Sequence, residues 1–434
     1  MLNKMLLNSL LNVNHTIIDN VEYLEDDSIV FYVHPTKGHQ YRCGLCGRKA
    51  SFYDIGRGNR FWRSNDIGKR KIFICADSYR VICPEHGVVA TSVPWARHKS
   101  RFTYSFEHTI AWLSLNCTKT TISKYMRISW NSVGPIISRI REDLDINPED
   151  RFDNLVRIGI DETSYRKGHN YMTVVVNHDT GKVVWVAPGH GKEILAKFFK
   201  ELSPEQCASI RMVSADGARW ISSCVEKFCP NANRCIDPFH VVTWATEAME
   251  LVRREAWHEA RLKTASAPRR KVGRPAKGTP TKSTAVKEIK GTKYVLGKNP
   301  ENLTDNQYAK LKLIADTDNR LWRAYKLKEE LRAVFKLGEM QGQKLLVHWI
   351  KWARHCRIPS FVELQKKICR HYNAILSTLS SGLSNARVEA VNNKIKLTIR
   401  MAYGFKNLDN MVDMVMLRCS NVKIPLPWAQ DSLT

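Results

Sequence analysis

The chain has few acidic residues for its length and no long uninterrupted apolar run. Its 434 residues include 42 Asp and Glu against 68 Lys and Arg, which gives a formal net charge of +26. No stretch approaches the ~18 consecutive apolar residues that a membrane-spanning helix needs, and Asn8 and Asn12 interrupt the apolar N-terminal segment. These features argue against a membrane protein and predict a polyanionic partner, for which nucleic acid is the usual candidate.

A regular cysteine framework is also missing. The 12 cysteines are irregularly spaced, unlike those of the small secreted domains that disulfides stabilise. We find no secretory signal pattern, so we expect a cytoplasmic protein with reduced thiols, some of them bound to metal. The length predicts roughly two to four domains.

Two short motifs place metal ligands in close pairs. Two residues separate Cys43 from Cys46, and two separate Cys83 from His86. Such pairs are typical ligands of one tetrahedral Zn²⁺. The long stretch between the pairs must form strands of its own to bring them together, and Cys75 within it is an alternative ligand. Because four protein ligands leave no open position, the predicted zinc is structural.

The region after these motifs has a helical pattern. Apolar spacing predicts three short helices over residues 103–115, 119–126 and 130–142, with Ser129 as the N-cap of the third. Short helices with tight turns are typical of a helix-turn-helix. A plain three-helix spacer is the alternative.

Residues 155–240 change to a strand pattern. The segments "LVRIGID", "YMTVVVNH", "KVVWVAPG", "IRMVSAD" and "NRCIDPFHV" predict five strands, with helices before and after the fourth. This order predicts an RNase H-like α/β fold. Helical patterns then continue to about residue 380, interrupted by a basic segment at 263–293 that is typical of a disordered linker.

Acidic residues end predicted strands of this region. Asp161 ends the first strand and Asp216 the fourth, so the two converge if these strands are neighbours. Because side chains alternate along a strand, Glu162 faces away from Asp161. Glu389, on a predicted helix, is the third acid. Carboxylates forced together are costly without a cation, and Mg²⁺ prefers oxygen ligands.

The helix that carries Glu389 adds polar side chains. Asn392, Asn393 and Lys396 lie three, four and seven residues further on, which predicts a shared helix face. Two Mg²⁺ (or Mn²⁺) ions per site would clamp a scissile phosphate and activate water or a 3′-hydroxyl. Such chemistry needs no covalent protein intermediate, so the lack of a Ser/His/Asp signature is no objection.

Asp237 and His240 form a D-x-x-H motif where the fifth strand ends. One interpretation is structural, a carboxylate–imidazole contact that fixes the strand-to-helix junction. The other is functional, with the pair orienting the scissile phosphate or an unpaired base.

The basic linker contains "RRKVGRPAKG", with a Gly-Arg-Pro core. It is similar to an AT-hook, in which arginine enters a narrow minor groove, although Val272 stands where an AT-hook usually has Arg. The alternative is a solvated segment that binds phosphates without sequence preference. The predicted DNA-binding residues of this arm are Arg269, Arg270, Lys271 and Arg274.

Several of these segments together resemble a known family. "GIDETSYRKGHNYMTVVVNHDTG", "DPFHVV" and "SNARVEAVNNKIK", with "CGLCG" and "CPEHGVV", are similar to transposases of the bacterial ISL-group insertion sequences, from about residue 40 to 420. The resemblance implies a DDE transposase whose triad is Asp161, Asp216 and Glu389, and whose RNase H-like core is split by a helical insertion. It also implies binding to double-stranded DNA at terminal inverted repeats and at the target, in a bacterial, nucleoid-associated protein. Because two ends must be held at once, we expect a homodimer on DNA.

The sequence thus predicts a multidomain α/β protein with an RNase H-like mixed-sheet catalytic core and an all-helical insertion, preceded by a zinc ribbon and a helix-turn-helix domain. The predicted domains are an N-terminal helix and hairpin (1–38), the zinc ribbon (39–95), the helix-turn-helix (96–150), the first part of the core (151–245), the helical insertion (246–380) and the C-terminal helices of the core (381–434). The alternatives are a structure-selective nuclease or resolvase on the same fold, and a domesticated DNA-binding regulator. The intact acidic triad argues against the regulator.

Overall fold

The computed structural model describes residues 4–145, 148–265, 289 and 291–426. The chain divides into two compact units, one of Met1–Pro148 with Ile395–Thr434 and the other of Glu149–Lys394. The strands are β1 (Thr16–Tyr23), β2 (Ile29–Pro35), β3 (Ser51–Asp54), β4 (Asn59–Ile67), β5 (Arg70–Asp77), β6 (Arg80–Cys83), β7 (Gly87–Ala90), β8 (Arg157–Arg166), β9 (Asn170–Asn177), β10 (Lys182–Pro188), β11 (Met212–Ala215) and β12 (Asn233–Ile236).

The helices follow the same chain order. They are α1 (Lys4–Leu11), α2 (Tyr104–Ser114), α3 (Lys119–Met126), α4 (Trp130–Leu144), α5 (Lys192–Glu201), α6 (Pro204–Ser209), α7 (Arg219–Phe228), α8 (Pro238–Ala265), α9 (Lys293–Gly297), α10 (Asp305–Thr317), α11 (Asn319–Val334), α12 (Glu339–His355), α13 (Pro359–Arg370), α14 (Tyr372–Ser381), α15 (Ala386–Met401) and α16 (Leu408–Cys419). None of these described helices is long and apolar enough to cross a bilayer.

The first unit begins with a four-stranded sheet in the order β1-β2-β5-β4. The predicted hairpin β1–β2 is present, and β2 pairs in parallel with β5. Ile72, Ile74 and Trp62 are buried, and Trp62 packs edge to face against Trp95. The sheet therefore joins two segments that the sequence assigned to different domains, 1–38 and 39–95.

The three helices predicted after this sheet are present within one residue of their expected starts. The side chains of Thr103, Thr118 and Ser129 accept backbone N–H groups at the starts of α2, α3 and α4, so each helix has its N-cap. Their apolar faces form one buried cluster, which includes Phe106 and Val133.

The C-terminal helix α16 belongs to the same cluster, through Met414 and Leu417. An ion pair of 2.6 Å between Arg141 and Asp413 also joins α4 to α16. The sequence placed residues 381–434 with the catalytic core, and the structure corrects this assignment for α16. The sequence shows that a helix is amphipathic, but it does not show which of the protein's hydrophobic cores the apolar face packs against.

The second unit contains a five-stranded sheet in the order β10-β9-β8-β11-β12. The first three strands are antiparallel, and β11 pairs in parallel with both β8 and β12. The first and fourth strands of this region, β8 and β11, are therefore neighbours, which is the condition under which the sequence brings Asp161 and Asp216 together. The hydrophobic cluster that includes Ile158, Ile160 and Val213 also contains apolar residues of α5 and α7, such as Phe198 and Val225.

Helix α8 begins directly after β12 and opens the predicted helical insertion, which continues through α14. Its core buries Trp349, whose Nε1–H donates to the carbonyl of Leu327 at 2.7 Å. Helices α11 and α12 therefore pack against each other at this position. Residues 266–288 and 290 of the basic linker lie outside the described residues, and with them Arg269, Arg270, Lys271 and Arg274.

Candidate active site and metal centre

The two predicted ligand pairs come together in the first unit. Cys43 and Cys46 precede β3, while Cys83 ends β6 and His86 lies in the turn before β7. One ligand atom from each of the four residues lies within 4.8 Å of all the others. Cys46 Sγ lies 3.7 Å from Cys83 Sγ, and Cys83 Sγ lies 3.6 Å from His86 Nδ1. Three thiols and one imidazole at this separation suit a tetrahedral Zn²⁺.

The surroundings of two of these thiols, Cys43 and Cys83, favour the thiolate that binds metal. A hydrogen bond to His86 lowers the pKa of Cys83, assisted by the backbone N–H of Glu85. Burial opposes ionisation of Cys43, but the backbone N–H groups of Cys46 and Leu45 hold its pKa below the usual value.

Cys75, the alternative ligand, is not part of this cluster. It lies within β5, opposite Tyr32 and Phe61, and burial raises the pKa of its thiol. Among the described residues, the only group of at least three possible metal ligands at such short separations is Cys43, Cys46, Cys83 and His86.

In the second unit, strand register aligns three aspartates. Gly159 on β8 lies opposite Ser214 on β11, two residues before Asp161 and Asp216 respectively. Ala215 on β11 lies opposite Ile236 on β12, and the next residues are Asp216 and Asp237. Because residues in register on parallel strands point to the same face, the three aspartates form a row across neighbouring strands.

One detail of the prediction changes. Asp161 lies inside β8, which continues to Arg166 in a hairpin with β9, rather than at the end of the strand. The pairing of β8 with β11 nevertheless stops at Gly159, so Asp161 lies where the parallel part of the sheet opens.

The charges in this row interact. Burial raises the pKa of Asp161, and the negative charge of Asp216 raises it further. Burial likewise raises the pKa of Asp237, and the charge of Glu389 acts in the same direction. The positive charge of His240 opposes both shifts. A divalent cation would reduce the repulsion among these carboxylates, and Mg²⁺ prefers oxygen ligands of this kind. The residues of the row therefore fit Mg²⁺.

The position of Glu389 depends on a glycine. Helix α15 packs over β8 so closely that a Cβ atom at Gly159 would lie 2.3 Å from Cγ2 of Val388. One turn further along α15, Asn392 Nδ2 donates to Asp161 Oδ2 at 2.6 Å. Gly159 therefore allows α15 to approach the sheet, and Glu389 follows Val388 directly.

The polar residues of α15 do not form one group. Asn392 is buried and bonded to Asp161, whereas Glu389, Asn393 and Lys396 are exposed. Lys396 belongs to the part of α15 that is assigned to the first unit. The shared face that the sequence predicted is thus divided, because a helix of 3.6 residues per turn spreads positions i, i+3, i+4 and i+7 over a broad arc.

The carboxylates are less tightly gathered than the thiols. In the part of the chain that the structure describes, the oxygens of Asp161, Asp216 and Glu389 do not all lie within 4.8 Å of one another. The site is open, with Glu389 exposed and Asp216 partly exposed.

A buried polar network, which the sequence analysis missed, lies beside the row. His178 Nε2 lies 2.6 Å from Ser214 Oγ, and Ser214 donates to Asn385 Oδ1. The carbonyl of Asn385 accepts from the N–H of Glu389 at 2.8 Å. Burial lowers the pKa of His178 to about 4, so its ring is neutral at pH 7. A polar Ser214 on the same strand face as Asp216, in an otherwise apolar strand, was the available signal.

The D-x-x-H motif fixes a chain junction through its backbone. The N–H of His240 donates to the carbonyl of Asp237 at 3.1 Å, and the N–H of Phe239 donates to the Asp237 carboxylate at 3.3 Å. These contacts start α8, but their donors are backbone N–H groups rather than the imidazole of His240 that the structural interpretation expected.

Two further sequence features find an explanation. Glu162 Oε1 accepts from the N–H of Gly191 at 2.9 Å, just before α5, so it serves the face opposite Asp161 as the alternation predicts. A Cβ atom at Gly217 would lie 2.6 Å from the ring of Trp244 on α8, so the glycine after Asp216 allows this helix to pack closely.

Comparison with known proteins agrees with this organisation. Residues 158–415 match a family model described as "Transposase", and residues 91–141 match the helix-turn-helix domain of transposase family ISL3. The chain is 47% identical over 435 residues to the transposase for insertion sequence element IS1557 of Mycobacterium tuberculosis, covering 98% of both chains. It is 23% identical over 412 residues to the transposase for insertion sequence element IS1001 of Bordetella parapertussis, covering 94% of this chain and 96% of that protein. The resemblance noted from the sequence is therefore confirmed, and the chain belongs to the ISL3 family of insertion-sequence transposases, enzymes that cut DNA and transfer its strands.

Proposed function

We propose that Asp161, Asp216 and Glu389 are the metal ligands of this transposase, in an RNase H-like core that cuts the ends of its element and joins them to target DNA. The observation that carries the proposal is the aligned row of aspartates beneath a helix that a glycine allows to approach. Bound Mg²⁺ would supply activation of the attacking water or 3′-hydroxyl and stabilisation of the leaving oxygen.

The residues around the triad position it. Asn392 donates to Asp161 Oδ2 and the N–H of Glu162 donates to Oδ1 at 2.9 Å, so both oxygens of this carboxylate are held in place. The partly exposed His240 lies beside the aspartates, where it is available to a scissile phosphate or an unpaired base. Asn393 and Lys396, exposed on the same helix as Glu389, are available for DNA contact.

The first unit supplies end recognition in this proposal. Its helices α2 and α3 and most of α4 fall within the matched helix-turn-helix region. A structural Zn²⁺ on Cys43, Cys46, Cys83 and His86 would hold the three-stranded sheet that has the order β3-β6-β7. Arg269, Arg270, Lys271 and Arg274 add an arm for the DNA backbone or minor groove. A homodimer would hold the two ends of the element together.

The test uses the purified full chain, Mg²⁺ and a duplex that carries one terminal inverted repeat. Asp161→Asn, Asp216→Asn and Glu389→Gln should each abolish nicking and strand transfer while end binding is retained. Asp153→Asn is the matched control, because Asp153 is an exposed acid of the same unit whose carboxylate accepts from Gln206 at 3.0 Å. Robust cleavage by any triad variant would overturn the assignment.

A further inference from the structure

Two clefts of the first unit differ in the charged side chains that line them. One cleft of about 260 Å³ is lined by Asp19 and Asp77 and has no Lys or Arg among its described lining residues. Another, of about 910 Å³, is lined by five cations and by no carboxylate. These cations are Arg57, Arg60, Arg80, Lys99 and Arg101. We refer to the second as the basic cleft.

Two segments supply four of the five cations of the basic cleft, and Arg80 at the start of β6 supplies the fifth. One is the β3–β4 turn and the start of β4, where Gly56 and Gly58 adopt positive φ angles of 64° and 76° that permit a tight turn. The other is the segment that contains Lys99 and Arg101, just before α2. The N–H of Arg63 donates to the carbonyl of Arg101 at 2.9 Å, so this segment is held against β4.

Most of the cleft's cations form no ion pair with a carboxylate of the residues that the structure describes. Arg80 is paired with Asp54, but Arg60 donates to the backbone carbonyl of Ser100 and lies over the ring of Trp62. Burial lowers the pKa of Arg60, and the charge of Arg101 lowers it further. The fold therefore holds like charges together at a cost that a bound anion would offset.

We propose that the basic cleft binds the phosphate backbone of duplex DNA, as a contact separate from the helix-turn-helix. The cations come from three separate parts of the chain along the cleft, and Arg57, Lys99 and Arg101 are exposed. An extended chain of phosphates fits such a distribution better than one small anion, for which donors converge on a point. The inference rests on the proposed role of the first unit in DNA binding.

The test compares the full chain with the triple variant Arg57→Ala/Lys99→Ala/Arg101→Ala. Fluorescence anisotropy would measure the affinity for an inverted-repeat duplex and a scrambled duplex between about 50 and 200 mM salt. Loss of up to three phosphate contacts should reduce the slope of log K against log salt by up to about 2.7. The ratio of the two affinities should stay unchanged, because phosphate contacts carry no sequence information.

A second triple variant removes the same charge elsewhere in the unit. Lys37→Ala/Lys49→Ala/Lys69→Ala changes three exposed lysines outside the basic cleft and should leave most of the slope intact. Equal reduction in both triples, or no reduction in the cleft triple, would overturn the proposal. So would a loss of inorganic phosphate binding with an unchanged DNA slope, which would assign the cleft to a small anion.

Two further measurements keep the outcome interpretable. Both triples should keep the native unfolding temperature, and if the cleft triple is destabilised, the single variant Arg57→Glu on the exposed turn repeats the salt titration. Equal affinity of the wild-type chain for the inverted-repeat and scrambled duplexes would defeat the proposed end recognition. The slope comparison would still decide the role of the basic cleft.

Discussion

The Cys/His cluster and the carboxylate row gather potential metal ligands in two different ways. The four ligands of the cluster lie within 4.8 Å of one another, and three of the four are partly or fully buried thiols on short turns. The carboxylates lie on three strands and a helix, and they are not gathered to that degree within the described residues.

Ligand chemistry explains the difference. Neutral thiols and imidazole can approach one another before an ion binds, and two tight turns bring them together with little repulsion. Carboxylates at neutral pH repel one another. The strand register therefore aligns them without bringing their oxygens together, and their closer approach requires a bound cation and substrate. The first arrangement suits a closed structural site and the second an open catalytic one.

The largest expected effect is loss of the closed site. Cys43→Ser should eliminate bound zinc and unfold the three-stranded sheet β3-β6-β7 of the first unit. The reason is that the apparent free energy of zinc binding in small structural sites is about 10–16 kcal/mol. Elemental analysis of the purified chain and circular dichroism during heating would measure both. Cys75→Ala is the matched control, and a full zinc complement in that variant would support the four-ligand cluster, whereas its loss would include Cys75 in the site.

The second prediction separates the adjacent acids of β8. Asp161→Asn should lower strand cleavage by more than about 100-fold, beyond the usual effect of losing an outer-shell partner. Glu162→Gln keeps an oxygen that can accept from Gly191 N–H, so activity should change little and stability by about 1 kcal/mol. Cleavage assays and thermal unfolding would compare the two. Equal catalytic losses would show that the strand register does not separate their roles.

The third prediction concerns the supports of the open site. Ser214→Ala removes the hydroxyl between His178 and Asn385 and should reduce cleavage by about 10–100-fold, with a higher Mn²⁺ concentration needed for half-maximal activity. Ser223→Ala, at an exposed hydroxyl of α7, is the control. A loss of stability with an unchanged Mn²⁺ requirement would limit Ser214 to a structural role.

The smallest predicted effect is a gain in stability for Asp161→Asn, the same substitution that should lower activity. The pKa of Asp161 is raised by burial and by Asp216, so the folded chain binds this proton more tightly than the unfolded chain. Stability in metal-free buffer should therefore fall as pH rises through the raised pKa. Asp161→Asn should unfold at a higher temperature than wild type at neutral pH, and the difference should vanish below the ordinary aspartate pKa. An absent or reversed difference in differential scanning calorimetry would contradict the crowding of charges.

The structure shows which sequence signals were sufficient. The three helices around Ser129 and the five strand segments of the second unit followed from local periodicity and caps, because each depends on residues close in the chain. The pairing of β2 with β5 and the position of α16 were not predictable in the same way. Both bring together segments far apart in the chain, and an apolar face does not specify its partner.

The same distinction between local signals and long-range packing applies to the candidate site. The sequence alone determined the ligand types and the alternation that separates Asp161 from Glu162, because side-chain chemistry and the two-residue strand period are local properties. Tertiary structure alone decided that Asp237 is level with Asp216 and that Asn392 bonds to Asp161. It also decided that Gly159 makes room for α15. These outcomes depend on register and on the close packing of a helix on a sheet, which are set by the whole fold.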